Sequence, residues 1–173
     1  MRYLLAGLAF LIVLPGKGLA DPLAPARHGK VQCYEPDQAR KTCRSIGSYT
    51  FESDGTIMNQ AEALISPKQL VIMKTNAPVV VRGDAECGTP RKEDLDRAEI
   101  DVDGQKLAEE QAAGARLQIE QAMASFIGKE ICSTYAPQSN GTMLTSETLD
   151  GAPMQNHEVV LWVDPNDGYK IAP

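Results

Sequence analysis

From Val31 onward the chain is a succession of short apolar and β-branched runs, cut at close intervals by residues that take turn dihedrals with little strain. That punctuation constrains the fold more than any other feature, because runs of this length make strands. The strands expected from it are Val31 to Tyr34, Ile46 to Glu52, Thr56 to Met58 with continuation to Ile65, Gln69 to Thr75 and Val79 to Arg82. Asp54-Gly55, Ser66-Pro67, Asn76-Ala77-Pro78 and Gly83-Asp84 are read as the turns between them. After residue 128 the pattern returns at Glu130 to Tyr135, Thr142 to Leu149, Glu158 to Val163 and Tyr169 to Ala172. Asn140-Gly141, Asp150-Gly151 and the Asp164 to Gly168 cluster divide those strands.

One segment breaks the strand pattern. Leu107, Ala108, Ala112, Ala115, Ile119, Met123, Phe126 and Ile127 recur at the three-and-four spacing of a helical face, and Lys106, Glu109, Glu110, Arg116, Gln118 and Gln121 occupy the other face. Gly128 suits the C-cap. A shorter helix is expected to start at Thr89-Pro90, with threonine as N-cap and proline at the first helical position. Strands, helix and strands in that order imply an α+β fold: an antiparallel sheet, made of a meander and C-terminal hairpins, packed against one long amphipathic helix. The Asp-Gly pairs at Asp54, Asp103, Asp150 and Asp167 are irregularly spaced and read as turns rather than repeats.

Residues 1–20 read as a signal peptide. Leu4 to Leu14 is an apolar run behind Arg2, Pro15 stops it, and Gly18 and Ala20 stand three and one residues before Asp21. Eleven residues fall short of the roughly 20 that cross a bilayer, so cleavage after Ala20 is expected to leave no stable membrane anchor. Residues 21–30 lack apolar periodicity and carry prolines, as a flexible lead-in would, and 31–173 are expected to form one domain. Export to the periplasm or the extracellular space would place the four cysteines where disulfides persist. Cys33 with Cys43 and Cys87 with Cys132 is the favoured pairing, the second closing the longer loop and contributing on the order of 4 kcal/mol. No pair has the CxxC to CxxxxC spacing of a zinc site.

The formal net charge is −6 at pH 7, which argues against a nucleic-acid partner, since phosphates call for a basic stripe. The segment Glu99 to Glu110 places Glu99, Asp101, Asp103, Gly104 and Glu110 at the offsets of a calcium loop, although Glu99 replaces the usual aspartate and Lys106 stands where an apolar residue belongs. The alternative is a strand with Ile100 and Val102 inward and a turn at Asp103-Gly104. Catalysis is short of histidine: His28 lies in the lead-in and His157 opens a strand, with no GxSxG elbow or HExxH spacing in the chain. Asp94, Asp96 and Glu99, and Asp164 with Asp167, lack the apolar or aromatic company of a glycosidase pair. Gly83 to Gly88 has no following Lys-Ser/Thr and an acidic interior, so it is no phosphate loop.

Val159 to Val163 is the most apolar stretch after residue 20; Trp162 within it is expected in the core, or at a strand edge open to a partner. Asn140-Gly-Thr142 is a glycosylation sequon on a turn. No catalytic residue, cofactor or metal follows from the sequence. The function expected is therefore an exported, disulfide-stabilised, non-enzymatic module that binds a protein or small ligand. The alternatives are a hydrolase using His157 with nearby carboxylates, or a calcium-binding protein using loop 99–110.

Overall fold

The computed structural model describes residues 21–66 and 68–173, so the signal segment expected over 1–20 lies outside the described residues. In chain order the elements are α1 (Ala24–Arg27), β1 (Val31–Tyr34), β2 (Thr42–Cys43), β3 (Ser45–Phe51), β4 (Ile57–Ser66), β5 (Val71–Arg82) and β6 (Ala85–Gly88). They continue with α2 (Lys92–Asp96), β7 (Glu99–Val102), β8 (Gln105–Lys106), α3 (Glu109–Met123) and β9 (Ile131–Pro137). β10 (Met143–Leu149), β11 (Ala152–Pro153), β12 (Val159–Val163), a 3₁₀ turn (Pro165–Asp167) and β13 (Lys170–Ile171) complete the chain.

These strands do not lie as an open sheet against a helix. Eight of them, β1, β3, β4, β5, β6, β9, β10 and β12, pair antiparallel in sequence order, and β12 returns to pair with β1, closing a barrel. Val31 stands opposite Val163 and Tyr34 opposite Val160 across the closing seam. Closure removes the exposed sheet edges that an open meander would leave. β12 pairs with β1 along its length and with β10 at Val159 and Val160, and Trp162 packs inside the barrel end with the cluster of Leu23 and Ile57.

The long helix is also placed differently from the sheet-backing layer expected for it. α3 belongs to an insertion between β6 and β9, and its apolar face, Ala112, Ala115, Ile119 and Met123, packs with Leu95, Ala98, Ile100 and Met73 in a cluster over one end of the barrel. α2 begins at Lys92, with Arg91 as N-cap, two residues beyond the Thr89-Pro90 start that the sequence suggests. The rest of the insertion is the β7–β8 hairpin, whose Asp103 and Gly104 take φ of 51° and 81°, a turn that glycine and aspartate tolerate.

The opposite end is closed by residues 21–30, which do not form the flexible lead-in that their composition suggests. Asp21 accepts from the Leu23 amide at 2.9 Å and pairs with Arg27 at 2.7 Å, fixing the turn of α1. Leu23 is fully buried and packs with Ile57, Phe51, Val79 and Trp162, while the Arg27 guanidinium lies 4.2 Å from the Phe51 ring centroid. The reason is local: a short capped helix needs only one apolar residue in register to plug a barrel end.

The disulfides are Cys33–Cys43 and Cys87–Cys132. The first holds β2 to the outer wall with Val163, Val31, Ile46, Leu161 and Tyr169. The second joins residues directly opposite on β6 and β9, one on each side of the inserted segment. No helix among the described residues is long and apolar enough to cross a membrane.

Candidate functional site

Side chains of a strand alternate between faces, and hydrogen bonds between strands that are not neighbours identify the inward face here. Tyr49 on β3 donates to Glu86 Oε1 on β6 at 2.7 Å, and two strands separate them in the barrel wall, so the contact crosses the lumen. Tyr135 on β9 donates to Glu86 Oε2 at 2.7 Å. Gln32 on β1 is fully buried, and its Oε1 lies 2.9 Å from the Tyr34 hydroxyl and 2.5 Å from that of Tyr49. Three tyrosines, one glutamate and one glutamine thus form a polar cluster inside the barrel.

Proton counting shows what this cluster can hold. The four close contacts need four hydrogens, and each phenol supplies one. With Glu86 neutral, its own proton goes to Tyr49, and Tyr49 and Tyr34 both donate to the Gln32 carbonyl. With Glu86 ionised, Tyr49 and Tyr135 donate to the carboxylate, and a half-turn of the Gln32 amide presents its NH₂ to the oxygens of Tyr34 and Tyr49. Gln32 Nε2 is buried and has no partner among the described residues, so nothing there holds the amide in one orientation. The cluster therefore accepts either protonation state without stranding a phenol or carboxyl oxygen.

Burial pushes the Glu86 carboxyl above its ordinary range, opposed by the hydrogen bonds from Tyr49 and Tyr135. Burial, with the charge of Glu86 nearby, raises Tyr34, Tyr49 and Tyr135 so far that the phenols stay protonated. Two further acids, Glu147 on β10 and Glu158 just before β12, are half-buried and also raised by desolvation, Glu158 additionally by its neighbours Glu147 and Glu35.

Glu86 and Tyr34 line one part of a cavity of about 260 Å³. Met73, Ala77, Val79, Leu95, Met123 and Ile131 make most of its remaining surface apolar. Its opening follows from the ladder of β5. Val71 to Lys74 pair with β7 and Val79 to Arg82 pair with β6, leaving 75–78 paired only to β4. Pro78, which has no N–H to give, stands in that gap, and Thr75, Ala77 and Pro78 line the cavity there beside Thr89, Pro90 and Arg91. The Asn76-Ala77-Pro78 segment is accordingly a one-sided strand rather than the turn its composition suggests. Arg91 at this portal is held by Asp94 through two hydrogen bonds of 2.8 and 2.7 Å.

No family model, curated protein or solved structure matches this chain.

The residues singled out from the sequence fall elsewhere. Glu99 and Asp101 stand on β7, paired to Lys106 and Lys74, and Asp103 is in the hairpin turn, so the offsets 99–110 belong to a hairpin and the first turn of α3 and do not wrap an ion. His157 is exposed, its Nδ1 lies 2.7 Å from the Thr145 carbonyl oxygen, and it does not line the cavity. Asp94 is buried between Arg91 and Arg97, and Asp164 with Asp167 caps the 3₁₀ turn. Cys87, Cys132 and Glu130 form the one group of potential metal ligands gathered among the described residues, and its two sulfurs are joined as a disulfide. Asn140 accepts from Thr142 within its turn. Sequence reasoning does not single out Glu86; the signal available was a lone acid alternating with Cys87 in a four-residue strand.

Proposed function

We propose that this protein is an exported, disulfide-stabilised binding module that takes one small, largely apolar molecule into the barrel lumen through the side portal at 75–78. The observation that carries the reading is the cavity itself: a lined space of about 260 Å³ with apolar walls and a few convergent polar groups, Glu86, Tyr34 and Ser133. Eight-stranded barrels are wide enough for side chains to fill or for one small ligand to occupy. An apolar cavity of about 150 Å³ already holds a benzene ring. Small inward residues support the reading, since Ala61, Ala77, Gly47 and Gly88 give up volume that larger side chains would take. Export rests on the Leu4 to Leu14 segment and agrees with the two disulfides.

Saturation-transfer NMR with 2-phenylethanol tests the lumen. Transfer to the probe in the native protein, abolished in Ala77→Phe, which fills the portal side of the cavity, is the expected result. Equal transfer in both proteins, or none in either, would refute a luminal site.

A further inference from the structure

Inward positions of the barrel strands carry charge of one sign. β1 presents Gln32 and Tyr34, β3 Ser45, Gly47, Tyr49 and Phe51, β4 Ile57, Asn59, Ala61 and Ala63, and β5 Met73, Thr75, Ala77, Val79 and Val81. β6 adds Glu86, β9 Ser133 and Tyr135, β10 Thr145 and Glu147, and β12 Val160 and Trp162, with Glu158 continuing the same face. None of these is lysine, arginine or histidine. The one arginine lining the cavity, Arg91 at the portal, is committed to Asp94 and Glu93.

We infer that the luminal ligand is an organic cation, an amine or ammonium group on a small apolar body, with Glu86 as its counter-ion. This rests on the luminal reading of the protein's function. A carboxylate oxygen has two acceptor sites, and Tyr49 and Tyr135 use one on each oxygen, so Glu86 keeps capacity for an ammonium donor from the cavity side. Tyr34 lines the same space, and its ring offers a face on which a cation is favoured. The walls of Met73, Val79, Leu95, Met123 and Ile131 suit the apolar body. An anionic ligand in the cavity would meet Glu86, while the one cation of the lining, Arg91, is already paired with Asp94.

With the ligand bound, the ammonium stands beside the Glu86 carboxylate, Tyr49 and Tyr135 donate to its oxygens, and the Gln32 amide turns to keep Tyr34 and Tyr49 paired; any proton held by Glu86 leaves to solvent, and no bond to carbon changes. The titratable groups around Glu86 are Tyr49 from β3 and Tyr135 from β9, which donate to it, Tyr34 from β1, and Arg91 with its partner Asp94 in the lining of the same cavity; Glu147 and Glu158 act on Tyr34. The phenols stay protonated, so within the cluster the negative charge that faces the ammonium is that of Glu86.

Calorimetry on the disulfide-intact protein with 2-phenylethylamine, 2-phenylethanol and 3-phenylpropanoate, in phosphate and in Tris, tests this. The amine should bind about ten- to a hundredfold more tightly than the alcohol, the value of a charge-assisted hydrogen bond. The acid should not bind, in either buffer. Glu86→Gln should bring amine and alcohol to equal affinity. Equal affinity for amine and alcohol would overturn the cation inference and leave the luminal site standing. A preference that survives Glu86→Gln would overturn it too, by moving the counter-ion elsewhere. Failure of all three probes to bind would remove both readings.

Discussion

Replacing Leu23 by alanine should destabilise the protein by about 3 kcal/mol. The leucine is fully buried at the end of the barrel against Ile57, with Phe51, Val79 and Trp162 around it. Three carbons are removed from that site, and at about 0.8 kcal/mol each the transfer loss is roughly 2.4 kcal/mol. The barrel end is ringed by strands that cannot close inward, so part of the space stays as a cavity and adds to the loss, within the roughly 2 to 5 kcal/mol seen for such substitutions. For a domain of this size the melting temperature should fall by about 6 to 12 °C. Urea unfolding of the disulfide-intact chain, followed by circular dichroism and by the fluorescence of Trp162, measures it. A loss under about 1 kcal/mol would refute α1 as a plug, because a residue on an unattached lead-in changes stability by only about half a kcal/mol.

Converting both Cys87 and Cys132 to serine should cost about 2 to 4 kcal/mol, since the bridge closes the loop that carries the whole α2–α3 insertion; chemical denaturation beside the native protein checks it, and an unchanged midpoint would count against the pairing. Glu86, Glu147 and Glu158 have folded pKa values raised above the ordinary 4.5. The folded state then binds more protons than the unfolded one, so their contribution is fully present below about pH 4.5 and is lost as pH rises through the raised values. Glu86→Gln cannot ionise, and its unfolding free energy should fall less steeply than that of the native protein as pH rises above about 4.5. Asp21, Asp37 and Asp54 are lowered and act below 3.8, outside that window. Identical slopes for the two proteins would contradict a buried, proton-holding Glu86.

Much of the local structure is legible in the sequence, and the closure is not. Asp103-Gly104 and Asp150-Gly151 mark hairpin turns because their φ values are positive, and that preference is carried by single residues. The face of α3 is legible for a similar reason, since spacing alone orders Ala112, Ala115, Ile119 and Met123. Barrel closure depends on Val31 to Tyr34 meeting Val160 to Val163, a pairing more than a hundred residues apart that alternation cannot distinguish from two open edges. Pro78 misleads because proline ordinarily ends a strand, whereas here it borders an unpaired gap. Glu86 is hidden for the same reason as the closure: its partners Tyr49 and Tyr135 sit on two other strands and Gln32, which accepts from Tyr49, on a third, and only the closed barrel brings them together.

The most direct measurement is a ¹³C NMR titration of the Glu86 side-chain carboxyl in the ligand-free protein, assigned through Glu86→Gln. A midpoint displaced above 4.5, accompanied by shifts of the Tyr49 and Tyr135 ring signals, is expected of an acid held among phenols beside an apolar lumen. A midpoint at or below 4.5, with the tyrosine signals unmoved, would place Glu86 in water and contradict the buried cluster on which the luminal site depends.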